Sequence, residues 1–193
     1  MMVVRFSADQ PGKQNLIFSY APNPVSTGSM AADGSSGLVY SASLDNNGMK
    51  YVVRIQAEAK GGTLTNADGK LTVKGADEVV FYITADTDYK PNFDPDFKDP
   101  KAYIGVNPEE TTRQWMENAV SSGYTALFNQ HYADYSALFD RVKLRLNPTA
   151  KMVNLPTSQR LKNYRKGQPD YYLEELYYQF GRYLLISSSR PGN

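Results

Sequence analysis

The chain contains no cysteine, one tryptophan and one histidine in 193 residues. Lacking cysteine, it has no disulfide framework, no thiolate metal site and no cysteine nucleophile. It also has little net charge: 21 basic against 20 acidic side chains leave +1. That balance carries neither the footprint of a nucleic-acid binder nor that of a protein drawn to anionic membranes. No apolar run approaches the ~20 residues a membrane-spanning helix needs. The opening Met1-Met2-Val3-Val4-Arg5-Phe6 has no basic region followed by a long apolar one, so it does not read as a signal peptide. What is plentiful is aromatic: 15 tyrosines and 8 phenylalanines. Such a load suits sugar handling, but aromatics also fill cores, and packing is the simpler reading.

The first 85 residues read as short strands. Val3–Ser7 and Leu16–Tyr20 are β-rich runs on either side of the turn composition Asp9-Gln10-Pro11-Gly12. Residues 21–37, with Pro22, Pro24, Gly28, Gly34 and Gly37 among serines, read as a loop. Leu38, Tyr40, Ala42 and Leu44 alternate with serines, and Asn47-Gly48 marks a hairpin turn. Tyr51, Val53, Ile55 and Ala57 fall on one face and Arg54, Gln56 and Glu58 on the other, a clean period of two. A second hairpin, Thr63–Val73, turns at Asn66-Ala67-Asp68-Gly69. The apolar run Val79–Ile83 reads as a central strand. Seven such strands predict an antiparallel β-sandwich. Glu58 and Glu78 read as solvated sheet-face charges, because nothing pairs them for acid–base work.

Residues 86–106 begin with a proline-punctuated, aspartate-rich loop. Asp94, Asp96 and Asp99 alternate as calcium ligands can, but no glycine turns the loop and no glutamate closes it, so an ordinary surface loop is expected. Helices follow. Asn107 is placed to cap, Pro108 to open and Glu110 to complete a capping box; Trp115, Met116, Ala119 and Val120 form an apolar stripe that Gly123 ends. A second stripe runs Tyr124, Leu127, Phe128, His131, Tyr135, Leu138, Phe139, Val142. His131 has the pKa range of a switch or an acid–base group. With no evident partner it reads as a hydrogen-bonded packing residue. Lys143–Leu146 alternates like a short strand, and Thr157 is placed to cap a short helix that Gly167 breaks. Arg160, Lys162, Arg165 and Lys166 read as a solvated basic face. Pro169 suits a first helical position, and Leu173, Leu176, Tyr177, Phe180 and Leu184 recur at helical spacing until Pro191-Gly192, so a helix is predicted from about 169 to 188.

Three stretches carry a family resemblance: Tyr178 through Gly192 (Tyr-Gln-Phe-Gly-Arg-Tyr-Leu-Leu-Ile-Ser-Ser-Ser-Arg-Pro-Gly), Asp134–Leu144 and Leu155–Leu161. In that order they resemble glycoside hydrolase family 95, the α-L-fucosidases and related enzymes. The resemblance implies an N-terminal β-sandwich, helical linker segments and an (α/α)₆ catalytic barrel. It divides the chain into the back of a sandwich (1–85), an acidic loop (86–106), a helical linker (107–167) and the first barrel helix (168–193). It further implies an inverting enzyme acting on a carbohydrate, with every catalytic residue beyond this chain and a periplasmic or secreted parent. No catalytic or metal-binding residue is carried over and no cofactor is implied. Arg190, at the end of the last helix, is the one candidate for lining a substrate site.

The expected architecture is therefore mainly β plus α: a partial antiparallel sandwich, a helical linker and one long C-terminal helix. Three alternatives remain open to the function: a carbohydrate-binding sandwich, a structural one, and the corresponding part of a sugar phosphorylase. The carbohydrate-binding reading requires exposed, coplanar aromatics. The apolar C-terminal helix also predicts a homo-oligomer formed through its exposed face.

Overall fold

A computed structural model describes residues 1–93, 98–99, 101–147 and 154–189. Eight strands and three helices occur among the described residues. They are β1 (Met2–Ser7), β2 (Gln14–Ser19), β3 (Ser26–Asp33), β4 (Gly37–Leu44), β5 (Lys50–Lys60), β6 (Thr63–Ala67), β7 (Lys70–Ala76), β8 (Glu78–Thr87), α1 (Pro108–Phe139), α2 (Thr157–Arg165) and α3 (Tyr171–Ser188). The chain divides into two compact units, Met1–Leu127 and Phe128–Asn193.

In the first unit, two antiparallel sheets face each other. One is five-stranded in the order β1-β8-β5-β4-β3, the other three-stranded in the order β2-β7-β6. Their shared core holds Leu38, Val53, Ile55, Ala57, Val79 and Phe81 from the larger sheet against Leu71 and Val73 from the smaller. The inward residues of β5 are those the period of two selected. β8 is buried on both faces. Val79 and Phe81 enter the sandwich core, while Val80 and Tyr82 pack on Met116 and Ala119 of α1. An unbroken apolar run is the sequence signature of such a strand.

One strand departs from the sequence reading. Residues 26–33, expected in a loop, form β3 and pair along their whole length with β4. Gly28 lies opposite Ala42, and a Cβ built on it would sit 2.3 Å from the Ala42 Cβ. The glycine that suggests a loop is thus a close approach of two backbones within a sheet.

α1 begins as expected, with Asn107 Oδ1 accepting from the Glu109 N–H at 3.1 Å. The capping box does not form: Glu110 turns to Arg113 and Gln114 of the next turn instead. Met116 and Ala119 are buried, but Trp115 is 43 % exposed, because neighbours on a helix diverge by about 100° and Met116 takes the inward direction. Gly123, at φ 72° and ψ 163°, interrupts the helical geometry of α1 where a helix stop was expected.

The second unit differs from expectation in four places. Residues 143–146 form no strand. Thr157 does not cap α2: Pro156 holds that position with no side-chain hydrogen bond. α3 starts at Tyr171, not Pro169, with Asp170 capping through the Leu173 N–H at 3.0 Å. Arg160 is not part of a solvated face. It is buried and grips Asp170 with two hydrogen bonds of 2.8 Å.

Candidate functional site

Within the first unit the polar groups converge on Arg54. Its position on β5 turns it away from the sandwich core, toward the start of α1. The guanidinium meets Asp33 at 2.8 Å, Glu109 at 2.7 Å and the Thr112 hydroxyl at 3.3 Å, and Arg54 is only 9 % exposed. Thr112 in turn donates to the Pro108 carbonyl, and its own carbonyl accepts from Thr84 on β8. Arg54 therefore ties β3, β5 and the first turn of α1 into one network. The carboxylate of Glu109 near the helix N-terminus adds a favourable dipole interaction.

A polar groove of about 430 Å³ lies beside this network, lined by Asp33, Arg54, Gln56, Arg113, Glu117 and Ser121 among others. Its four charged side chains are already committed in pairs: Asp33 to Arg54, and Glu117 to Arg113. The Arg113 guanidinium also holds the Glu110 carboxyl below the usual range. Carboxylates held in ion pairs stay ionised, which is the wrong state for a general acid. Tyr82 donates to Glu58 at 2.8 Å, and burial pushes its hydroxyl well above the ordinary tyrosine value. Glu78 is paired with Arg5. Both glutamates thus lie on the sheet, but each has a named partner.

The second unit is held by charged anchors along α3. Besides the Arg160–Asp170 pair, Glu175 accepts from the Leu146 N–H at 2.8 Å and from Arg145 at 3.3 Å. Arg182 donates to the Val142 carbonyl at 2.9 Å and the Phe139 carbonyl at 2.8 Å, with its guanidinium 4.8 Å above the Phe139 ring. Carbonyls at the end of a helix need such donors, and α1 has no basic residue of its own in its last turn. Between α2 and α3 lies a mostly apolar cleft of about 570 Å³, lined by Leu161, Tyr164, Leu173, Leu176, Tyr177 and Phe180 together with Thr157 and Glu174.

The residues singled out from the sequence do not meet in one place. Arg190, Asp94 and Asp96 lie outside the described residues. Asp99 accepts from the Lys101 N–H in a surface turn. His131 is exposed, with its ring 6.2 Å from that of Tyr135, so it is not a buried hydrogen-bonded packing residue. Sequence reasoning missed the Arg54 network and the Arg160–Asp170 pair. Arg54 stood out only as a polar residue on a strand. Nothing local marks its partners, which lie 21 and 55 residues away. Among the described residues no buried side-chain nitrogen or oxygen lacks a partner, and no three acidic or histidine side chains gather where they could hold a metal. No described helix is long and apolar enough to cross a membrane.

Two family patterns divide the chain. Residues 1–92 match the glycosyl hydrolase family 65 N-terminal domain, and residues 123–193 match the glycosyl hydrolase family 95 catalytic domain. A probable alpha-fucosidase A of Aspergillus niger is 33 % identical over 187 residues, covering 94 % of this chain and 22 % of that protein. Alpha-L-fucosidase 2 of Arabidopsis thaliana is 33 % identical over 155 residues, covering 77 % and 18 %. A probable alpha-fucosidase A of Aspergillus oryzae is 30 % identical over 139 residues, covering 68 % and 19 %. The chain therefore spans about a fifth of the length of the curated relatives it matches. With a family 95 catalytic pattern over its helical part and α-fucosidase relatives along nearly all of it, the chain is an α-L-fucosidase-like segment of glycoside hydrolase family 95.

Proposed function

We propose that this chain is a non-catalytic scaffold and linker segment of a carbohydrate-cleaving enzyme, an inverting α-L-fucosidase. The observation that carries the reading is the family 95 catalytic pattern over residues 123–193 in a chain whose relatives are named α-fucosidases. On this reading residues 1–85 are sandwich, 86–106 a connecting loop, 107–167 linker, and 168–193 the first helix of the catalytic barrel. Inverting hydrolysis takes one carboxylic acid to protonate the leaving oxygen and one carboxylate to activate water, about 6.5–9.5 Å apart. Asp33 and Glu117, the described carboxylates that border the polar groove, are ion-paired, so they are poor candidates for either role. Arg190 is assigned to the rim of the substrate site.

An assay of the pure 193-residue chain on an aryl α-L-fucoside tests this directly. No release above the blank is expected. Turnover that disappears on Glu117→Gln or Asp33→Asn would overturn the non-catalytic reading. For a full-length enzyme carrying this segment, NMR of the first-formed sugar anomer tests inversion, and Arg190→Ala should raise KM.

One observation favours a second reading, a carbohydrate-binding surface on the first unit. Tyr89 and Tyr103 stack with centroids 6.5 Å apart and planes 23° from parallel, and Tyr89 is 57 % exposed. A sugar face can lie on such a ring. Retardation of the chain in a gel containing polysaccharide, lost in Tyr89→Ala, would establish it; equal mobility with and without polysaccharide would remove it.

A further inference from the structure

Gly123, which interrupts α1, has a backbone conformation (φ 72°, ψ 163°) that is almost glycine's alone. A Cβ there would meet nothing within 4 Å, so the backbone angle, not crowding, calls for glycine. The two residues before it prepare the bend. Ser121 and Ser122 both turn their hydroxyls back onto the Asn118 carbonyl, at 3.0 and 2.8 Å, and such back-bonding bends a helix. Past the bend the helix stays on the sheet. Tyr124 and Leu127 pack on the cluster of Val80, Tyr82, Met116 and Ala119 that also holds its first half.

A bend of this kind turns amides away from the carbonyls one turn back, and an N–H so displaced needs another acceptor. The Tyr82 hydroxyl supplies it. It faces the Tyr124 backbone N–H and donates its own proton to the Glu58 carboxylate at 2.8 Å. A hydroxyl has one proton and two lone pairs, and a carboxylate can only accept. With its proton drawn to Glu58, the lone pairs of Tyr82 are left for the amide. Tyr82 is fully buried on β8, which fixes where that acceptor stands. From β1, the Arg5 guanidinium lies 5.0 Å from the centre of the Tyr124 ring and is itself held by Glu78.

We propose that Glu58, Tyr82 and Arg5 form an anchor by which the sandwich fixes the first turn of the catalytic pattern, with Tyr82 as the positioning residue. All three anchoring residues lie within the family 65 N-terminal match, 1–92, and the family 95 catalytic match opens at residue 123, the bend itself. The boundary between the two matches thus falls where the helix is bent and held. A straight helix would carry Met116, Val120, Tyr124 and Leu127 on one face equally well, so the apolar stripe does not require the bend. The anchor deepens the scaffold reading and rests on it only for the identity of what is oriented. The two are separable by experiment: fucoside turnover measures the scaffold reading, and amide exchange measures the anchor.

Hydrogen exchange of the 193-residue chain, followed by NMR at single amides, is that measurement. Tyr82→Phe keeps the ring and removes only the hydroxyl. It should speed exchange at the Tyr124 amide about tenfold or more relative to Ala119, in the regular first half of the helix. Equal acceleration at both amides would show general loosening and overturn the anchor. Gly123→Ala is a second, independent test if Tyr82→Phe folds poorly, because the sign of its effect decides. Alanine at φ 72° is strained, so a melt followed by Trp115 fluorescence should fall by roughly 2–8 °C. An unchanged or higher melting temperature, the response of an ordinary helical glycine, would overturn the bend and the anchor with it.

Discussion

β8 and α3 carry two of the most apolar stretches in the molecule, and they end in opposite surroundings. On β8, Val79, Val80, Phe81 and Tyr82 are all at most 5 % exposed, held between a second sheet and α1. On α3, Leu176, Tyr177, Phe180 and Leu184 are all 48 % exposed or more. The contrast follows from what each element has around it. A strand inside a sandwich is offered two apolar faces by its own chain. A helix fixed by Asp170 at its start and by Glu175 and Arg182 along its length is oriented by charge, and its apolar stripe goes where the anchors leave it. Burial in the first unit is thus driven by apolar surface. Position in the second is set by hydrogen bonds, each of which contributes modestly when made but is costly to leave unmade.

The largest test of this contrast compares two truncations. Phe81→Ala should destabilise the first unit by about 3–5 kcal/mol, the usual loss for a buried phenylalanine. Leu184→Ala should change the monomer by less than about 0.5 kcal/mol, as for an exposed surface position. Urea unfolding at low protein concentration measures both, with the fluorescence of Trp115, the chain's one tryptophan, following the first unit. If Leu184→Ala cost as much as Phe81→Ala, the apolar stripe of α3 would be buried in the monomer after all.

Next comes the anchor itself. Asp170→Asn removes one partner of a buried bidentate pair and weakens the cap of α3, a loss of about 3 kcal/mol. The wild-type carboxyl is held below the usual range chiefly by the Arg160 guanidinium, and also by the Leu173 N–H. Its folded-state pKa is depressed, so its contribution is complete above the unfolded value of about 3.9 and fades as pH falls through the lower folded one. Helical content followed by circular dichroism should therefore melt at a lower temperature at pH 3 than at pH 5, and Asp170→Asn should flatten that dependence. An equally steep dependence in the variant would assign the acid sensitivity to another carboxylate.

How far the sequence foretold the fold depends on how local the signal was. β4, β5 and β8 were legible because alternation or an unbroken apolar run within one strand reports which faces are buried. The start of α1 was legible from Asn107-Pro108. β3 was not, because Ser-Thr-Gly-Ser-Met-Ala-Ala-Asp has neither β-branched density nor alternation, and its pairing with β4 is a property of both strands together. The period of three and four in α3 correctly located a helix and an apolar stripe. It could not say which way the stripe faced, since that was decided by Arg145, Leu146 and Phe139, residues far off in sequence. As for the site, the family resemblance was readable from residues 134–192, whereas the Arg54 network, spanning Asp33 to Thr112, was not. Gly28 offers a test of the β3 correction: Gly28→Ala should destabilise by about 1–3 kcal/mol, because the added methyl meets Ala42 across the ladder. A neutral effect in thermal melts would mean that β3 is not held against β4 at that position.

The same substitution at Gly181 should have the opposite sign. Here the backbone is helical, the added methyl meets nothing within 4 Å, and glycine in a helix interior is about 0.5–1 kcal/mol less favourable than alanine. Gly181→Ala is therefore expected to stabilise the helical unit of the monomer by roughly that amount, read as a small rise in the helical melt at about 2 μM. A loss at 2 μM would mean that some part of this chain already packs against Gly181, and the contrast between β8 and α3 would have to be redrawn.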